Sequence, residues 1–171
     1  MTDKILWRDG REAQDAWTHA ETSESDGQII VPLAAYLALS KEQRKAGANR
    51  IGVLLAPLEP IEAIIEDLPN LSLIALTFPA FSNGTSHSKA SMLSGKHGFA
   101  GEIRAVGDVL FDQVPLMVRN GFTSFEITNA PTIAQLRAGK HGDFPMYYQP
   151  AAQKSDSAKS YSWRHLPANP A

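Results

Sequence analysis

The sequence predicts an α/β domain on a mainly parallel sheet, built from repeated strand–helix units and arranged as a small open sheet or a partial (β/α) barrel. Three observations predict it. Short apolar runs recur through the middle of the chain, separated by segments whose apolar residues have helical spacing. Each strand–helix unit takes about 20–30 residues, the length of a right-handed crossover between parallel strands. Prolines and glycines punctuate the junctions.

Residues 1–28 are polar and carry two tryptophans and a Ser/Glu/Asp cluster from Thr22 to Gly27, which reads as an N-terminal hairpin or loose segment. The α/β domain spans 29–150. Ile29-Ile30-Val31 is a brief apolar run, and Pro32 opens a helical pattern at Leu33, Tyr36 and Leu37, where its missing N–H costs nothing. Ile51-Gly52-Val53-Leu54-Leu55 is continuously apolar, as in a strand covered on both faces. Ile61, Ile64, Ile65 and Leu68 then recur at helical spacing, and Leu71 to Phe78 forms the next strand, stopped by Pro79. A turn at Ser82-Asn83-Gly84 leads to a helix near 86–95. A strand over Glu102–Val106, a helix over 109–119, a strand over Phe122–Ile127 and a helix over Thr132–Ala138 complete four units. Residues 151–171, rich in Ala, Ser, Lys and Pro, read as an extended tail.

The run Gly95-Lys96-His97-Gly98-Phe99 recurs as Gly139-Lys140-His141-Gly142-Asp143-Phe144. Both copies follow a helix, where cations favour the negative end and glycine takes the left-handed cap. Helix caps explain the repeat better than duplicated halves or a histidine pair for a ligand.

Composition narrows the function. A chain of 171 residues suits one domain with a real core, and a net charge of −2 without a Lys/Arg stripe argues against nucleic acid and against a polybasic membrane contact. The absence of cysteine excludes disulfides, thiolate metal sites, iron–sulfur clusters and a cysteine nucleophile. No apolar stretch approaches the roughly 20 residues that span a bilayer, and the N-terminus lacks a signal-peptide pattern, so the expected location is cytoplasmic. Histidines 19, 87, 97, 141 and 165 include no i, i+4 pair, and no Gly-x-Gly-x-x-Gly follows a strand; neither a metal nor a cofactor is expected.

In parallel sheets, ligands sit beyond the carboxyl ends of the strands. That rule selects Asn83, Arg104, Asp108, Gln113 and Glu126 as ligand-binding candidates. Arg104 lies inside a strand between Ile103 and Val106, so its guanidinium needs a carboxylate from Glu102, Asp108 or Asp112, or an anionic ligand. A structural ion pair is the commoner outcome for such an arginine. Asp108 is equally placed to cap a helix beginning at Val109, a role worth about 1 kcal/mol. No nucleophile can be named, and Ser88 and Ser91 have no His–Asp arrangement beside them in sequence.

Two stretches together, Phe78-Pro79-Ala80-Phe81-Ser82-Asn83-Gly84 and Gly101-Glu102-Ile103-Arg104-Ala105-Val106-Gly107-Asp108-Val109-Leu110-Phe111-Asp112-Gln113, resemble the bacterial domain-of-unknown-function family nine-three-four. Weaker matches at Ile30–Leu33, Gly121-Phe122, Phe125-Glu126 and Tyr148-Gln149 extend the resemblance over roughly 29–150. It implies an accessory role in assimilatory sulfite or sulfate reduction, because the family's genes lie beside those enzymes; the implied partner is sulfite reductase or another sulfur-assimilation enzyme. The chain departs from the family pattern where that pattern has an Asp-Gly-Arg-Gly-aromatic-Ser turn and an arginine-bearing helix. Here stand Asn83-Gly84-Thr85-Ser86-His87-Ser88, then Ser91 and Ser94 in place of arginines, and Asn120 in place of a cysteine. Each lost arginine removes charge-assisted hydrogen bonds worth about 1.5–3 kcal/mol, so the resemblance implies a weakened or altered anion site. Two rivals remain open: a small α/β enzyme binding an anionic metabolite around Arg104, Asp108 and Glu126, and a non-catalytic homo-oligomeric scaffold with an apolar patch from Phe111, Met117 and Tyr147.

Overall fold

The apolar runs become strands. The computed structural model describes residues 4–79 and 84–140; Asn83, Tyr147, Tyr148-Gln149, the second Lys-His-Gly run from His141 and the tail at 151–171 lie outside the described residues. Among these, eight strands form one sheet: β1 (Ile5–Arg8), β2 (Arg11–Ala13), β3 (Trp17–His19), β4 (Gln28–Pro32), β5 (Ile51–Leu55), β6 (Leu73–Phe78), β7 (Glu102–Gly107) and β8 (Ser124–Ile127). Their order is β2-β1-β8-β7-β6-β5-β4-β3. Strands β3 to β8 run parallel, while β1 is antiparallel to β8 and to β2. The helices are α1 (Leu33–Leu37), α2 (Lys41–Ala46), α3 (Thr85–Ser91), α4 (Val114–Arg119) and α5 (Ala130–Arg137).

The chain connectivity forces this sheet to curl. Strands β2 and β3 occupy opposite edges, yet only Gln14, Asp15 and Ala16 join them. Four Cα–Cα steps reach at most about 15 Å, whereas the edges of a flat eight-stranded sheet would stand about 33 Å apart. The result is a curled, open sheet with a concave face that the 14–16 linker crosses.

Alternation along each strand then sorts the residues. Ile5, Trp7, Ile29, Val31, Ile51, Val53, Leu55, Ile74, Leu76, Phe78, Ile103, Ala105, Phe125 and Ile127 face outward into the main core, under Tyr36, Ile64, Leu93, Met117, Ile133 and Leu136. The concave face has a smaller apolar group, Trp17, Ile30, Leu73 and Ala75 with Leu54 and Val106. The rest of that face is charged.

Several local expectations are corrected. The segment after Pro60 is a 3-10 helix (Ile61–Asn70) with Pro69, which cannot donate a helical bond, inside it. The helix expected from Val109 starts later. The Asp108 N–H is bound to the Phe78 carbonyl at 2.7 Å and the Val109 N–H to that of Gly107 at 2.9 Å, which keeps the backbone on the strand end. A short 3-10 turn over Phe111–Gln113 follows, and α4 begins with Pro115 in its first turn. Asp108 therefore caps nothing; Leu110 holds the cap position, without a side-chain bond. Strand β8 begins at Ser124, two residues late, because the Phe122 N–H still closes α4 on the Met117 carbonyl.

The leading glycines of the two Gly-Lys-His-Gly runs, both among the described residues, differ in conformation. In the first, helix α3 continues through a π turn over Met92–Lys96, and the left-handed residue is Gly98. After α5 it is Gly139, the leading glycine of the second run. Both glycines terminate helices, in different positions of the motif.

Candidate functional site

The concave face gathers charge at the junction of β1, β7 and β8. Register places Arg104 beside Ser124, Ser124 beside Arg8, and Val106 beside Glu126. Because side chains alternate, Glu102 and Arg104 of β7 and Ser124 and Glu126 of β8 all point inward. Arg104 is fully buried. Its Nε donates to Glu102 Oε1 at 2.9 Å, and its Nη1 donates to both carboxylate oxygens of Asp15 at 3.0 and 2.9 Å. Nη2 lies 2.8 Å from Glu102 Oε1 but has no aligned hydrogen bond, so the contact there is one of charge alone. Glu102 also accepts from Ser124 Oγ and, through Oε2, from Arg8 Nη1 at 3.0 Å. Two guanidiniums meet two carboxylates, and the group is electrically balanced.

Beside this network stands a second one. His19, at the end of β3, reaches across the curled sheet to Glu126, with Nε2 2.8 Å from Oε2; Lys4 Nζ approaches the same oxygen at 3.5 Å. Glu126 is nearly buried, while a third of the His19 side chain is exposed. Burial by itself would raise the Glu126 carboxyl. The hydrogen bond from His19, then the charges of His19, Lys4 and Arg104, outweigh it and hold the group below its ordinary value. A carboxylate depressed in the folded state stabilises the protein above its unfolded value of about 4.3 and loses that contribution as pH falls through the folded value. His19→Gln is therefore expected to move the acid-unfolding midpoint to higher pH and to cost about 1 kcal/mol at neutral pH, the partial exposure of His19 limiting the loss. Circular dichroism followed during acid titration checks both; an unmoved midpoint would mean that the contact does not hold Glu126 ionised.

Of the five candidate residues, Arg104 and Glu126 share the concave face. Asp108 lies beyond the end of β7, half-buried, with its backbone engaged by Phe78. Gln113 sits in the helical layer between the 3-10 turn and α4, its Oε1 buried without a hydrogen-bond partner among the described residues. Asn83 is outside them. For Arg104, Glu102 was correctly among the expected carboxylates; Asp15 replaces Asp108 and Asp112, since the linker crosses the concave face while the residues after β7 leave it. Asp15 and His19 had no signal in the sequence, being separated from their partners by 89 and 107 positions.

A further group lies at the carboxyl end of β5. Lys89 of α3 is 7 % exposed, and its Nζ donates to the Ala56 carbonyl at 2.6 Å. Burial lowers its affinity for a proton, opposed by the charges of Glu59 and Glu62. Three polar residues of the helical layer, His87, Ser91 and Asn120, meet one another. Asn120 Nδ2 is 2.9 Å from His87 Nδ1, and Ser91 Oγ donates to the Asn120 carbonyl at 3.4 Å. His87 packs against Phe78 and Phe122, and burial lowers its proton affinity.

A family model described as bacterial protein of unknown function (DUF934) matches residues 52–158, more than half of the chain. The chain belongs to the DUF934 family. No curated protein and no solved structure matches it. In DUF934 terms, the matched part carries Glu102, Arg104, Ser124 and Glu126, whereas Arg8, Asp15 and His19 precede it. The charged face of this chain thus joins residues inside the matched range to Arg8 of β1, Asp15 of the 14–16 linker and His19 of β3, which precede it. No helix among the described residues is long and apolar enough to cross a membrane, and none of their His, Asp and Glu side chains gather in a group of three able to hold a metal.

Proposed function

We propose that this DUF934 chain is an accessory protein of assimilatory sulfite or sulfate reduction, working in the cytoplasm by binding sulfite reductase or another sulfur-assimilation enzyme. The setting rests on the sequence resemblance. The choice of a binding role over catalysis rests on one observation: Arg104, the best candidate for holding an anionic substrate, is fully buried and paired with Asp15 and Glu102. An electrically balanced, enclosed group offers an incoming anion no net attraction and a large desolvation cost. The succession of strands and helical segments from β5 to α5 is read in the same proposal as four repeats of one strand–helix unit.

Three measurements test it. Affinity purification of the tagged full-length chain from sulfate-grown cells is expected to retain sulfite reductase or another enzyme of that route. Normal sulfite reduction in a deletion strain would overturn the assignment. Isothermal titration with sulfite, sulfate and phosphosulfate nucleotides is expected to show no micromolar binding; micromolar binding abolished by Arg104→Gln would favour the rival enzyme. That second reading has one observation of its own, the His19–Glu126 pair, partly open to solvent and equipped for proton transfer.

A further inference from the structure

The linker that crosses the concave face is tied down by one side chain. Gln14, Asp15 and Ala16 are all exposed residues. Among the described residues, none of the three joins a backbone–backbone hydrogen bond outside the strand pairing. The Asp15 carboxylate supplies the anchor. It accepts from Arg104 Nη1 through both oxygens, at 3.0 and 2.9 Å, and from the Trp17 N–H through Oδ1 at 3.0 Å. Its side chain is 19 % exposed, although the residue as a whole lies open to water. A segment anchored at one point opens locally without unfolding the sheet.

The seat beneath that carboxylate suits an anion better than it suits Asp15. A guanidinium offers Nη1 and Nη2 as a fork, which two oxygens of one carboxylate or oxyanion engage together. Asp15 instead places both oxygens on Nη1. Nη2 of this fully buried arginine has no aligned hydrogen bond, and its contact with Glu102 is one of charge alone. Glu102 itself is already engaged, its Oε1 by Arg104 Nε and Ser124, its Oε2 by Arg8. The charges agree with the geometry. With Asp15 seated, Arg104, Arg8 and Lys4 face Asp15, Glu102 and Glu126; with Asp15 withdrawn, the same three cations face two carboxylates. The side chains of Lys4 and Arg8 are 44 % and 39 % exposed, so the rim that an anion would cross is positive.

We propose that Arg104 heads an anion-binding site which Asp15 fills from within the chain, and which a small carboxylate or oxyanion takes when the 14–16 linker lifts. Asp15 is then the chain's own stand-in for the ligand. The seated linker weakens apparent affinity by the fraction of molecules in which it is open, which keeps the unaltered chain from binding at micromolar concentration. The inference is independent of the role in sulfur metabolism, since it rests on Arg104 and its neighbours alone.

Acetate and sulfate are the probes, each compared with chloride at equal ionic strength. In the full-length Asp15→Ala variant, about 50 mM of the better-fitting anion is expected to shift the folding equilibrium about 10-fold toward the folded state. Urea midpoints read the shift, which should saturate. The unaltered chain is expected to shift less than about 2-fold, because Asp15 holds the seat. Adding Arg104→Gln to Asp15→Ala is expected to abolish the response. No response in Asp15→Ala, or an equal one in the double variant, would overturn the proposal. A stronger response to acetate assigns the seat to carboxylates, and a stronger one to sulfate assigns it to tetrahedral oxyanions. A second measurement needs no variant. In the unaltered chain, about 50 mM of the same anions is expected to speed hydrogen exchange at the Trp17 amide about 10-fold, since its acceptor Oδ1 leaves with the linker. The amides of β6 and β7 should stay protected. Unchanged exchange at Trp17 in both anions would equally overturn the proposal.

Discussion

Arg104→Ala is expected to destabilise the protein by about 3–5 kcal/mol, the cost of stranding buried charge rather than the worth of the pairing itself. Arg104 is fully buried, and the side chains of Asp15 and Glu102 are 19 % and 13 % exposed, so neither carboxylate can recover full hydration when the guanidinium goes. Glu102 retains Ser124 and Arg8, but Asp15 has no other ion pair among the described residues. The linker Gln14–Ala16 would then lose its anchor on the concave face. Urea denaturation at neutral pH measures the loss. A triple variant, Arg104→Met with Asp15→Asn and Glu102→Gln, separates the two causes. It removes the buried guanidinium together with the two carboxylates it pairs, leaves Arg8, whose side chain is 39 % exposed, to water, and keeps most of the volume, so it is expected to recover most of the stability. If the triple variant is as unstable as Arg104→Ala, the arginine acts through directional hydrogen bonds and not through charge balance. A loss below about 1 kcal/mol for the single variant would show that the site is wetter than its burial implies.

The same residue shows how far the sequence could be read. Arginine between Ile103 and Val106 in a strand demands a carboxylate, and Glu102, two positions earlier on the same face, follows from alternation alone. Asp15 does not follow. It reaches Arg104 because three residues carry the chain from one edge of the sheet to the other, and edge order is a property of the assembled sheet. The pairing of His19 with Glu126 was hidden for the same reason. Strands β5 and β6 were legible as apolar runs between turn signals, and β7 and β8 as short alternations of apolar and polar residues; β2 and β3, three residues each, are too short and polar for any periodicity to show. Helix α2 was missed although its signal was present: Ser40 and Gln43 form a capping box, each side chain bonded to the other's backbone N–H. Asn129 likewise caps α5 by accepting from the Thr132 N–H. In both cases the cap was written in the sequence, while the apolar periodicity used to find helices was weak over so few residues. The late start of α4 did have a local signal in Pro115, which suits a first helical turn and not the interior of a helix from Val109; the hold of the Phe78 carbonyl on Asp108, 30 positions away, had none.

That contact leads to the other large effect. Gly107→Ala is expected to cost about 3 kcal/mol or more, and Gly98→Ala only about 1 kcal/mol, although both glycines have positive φ. The difference is the neighbour. A Cβ on Gly98 meets nothing within 4 Å, so alanine there incurs only the strain of the left-handed conformation. At Gly107 a Cβ would stand 2.5 Å from the Phe78 carbonyl oxygen and 3.1 Å from its carbon. Both are backbone atoms of β6, held by the parallel register Phe78↔Gly107, and cannot rotate away. Relief would require β6 and β7 to separate at their carboxyl ends, which breaks the 2.7 Å bond from the Asp108 N–H to Phe78 and loosens the pairing of Gly107 with Ile127 in β8. Strain of about 1–3 kcal/mol adds to a packing cost of similar size. Comparing the urea midpoints of the two variants checks the argument. Equal losses would show that the strand ends yield readily, and hydrogen exchange at Asp108 would then be as fast in the parent as in Gly107→Ala. A larger loss at Gly107, with faster exchange at Asp108 alone among the strand-end amides of β6 and β7, would establish that this close approach fixes the carboxyl edge on which Glu126 is presented.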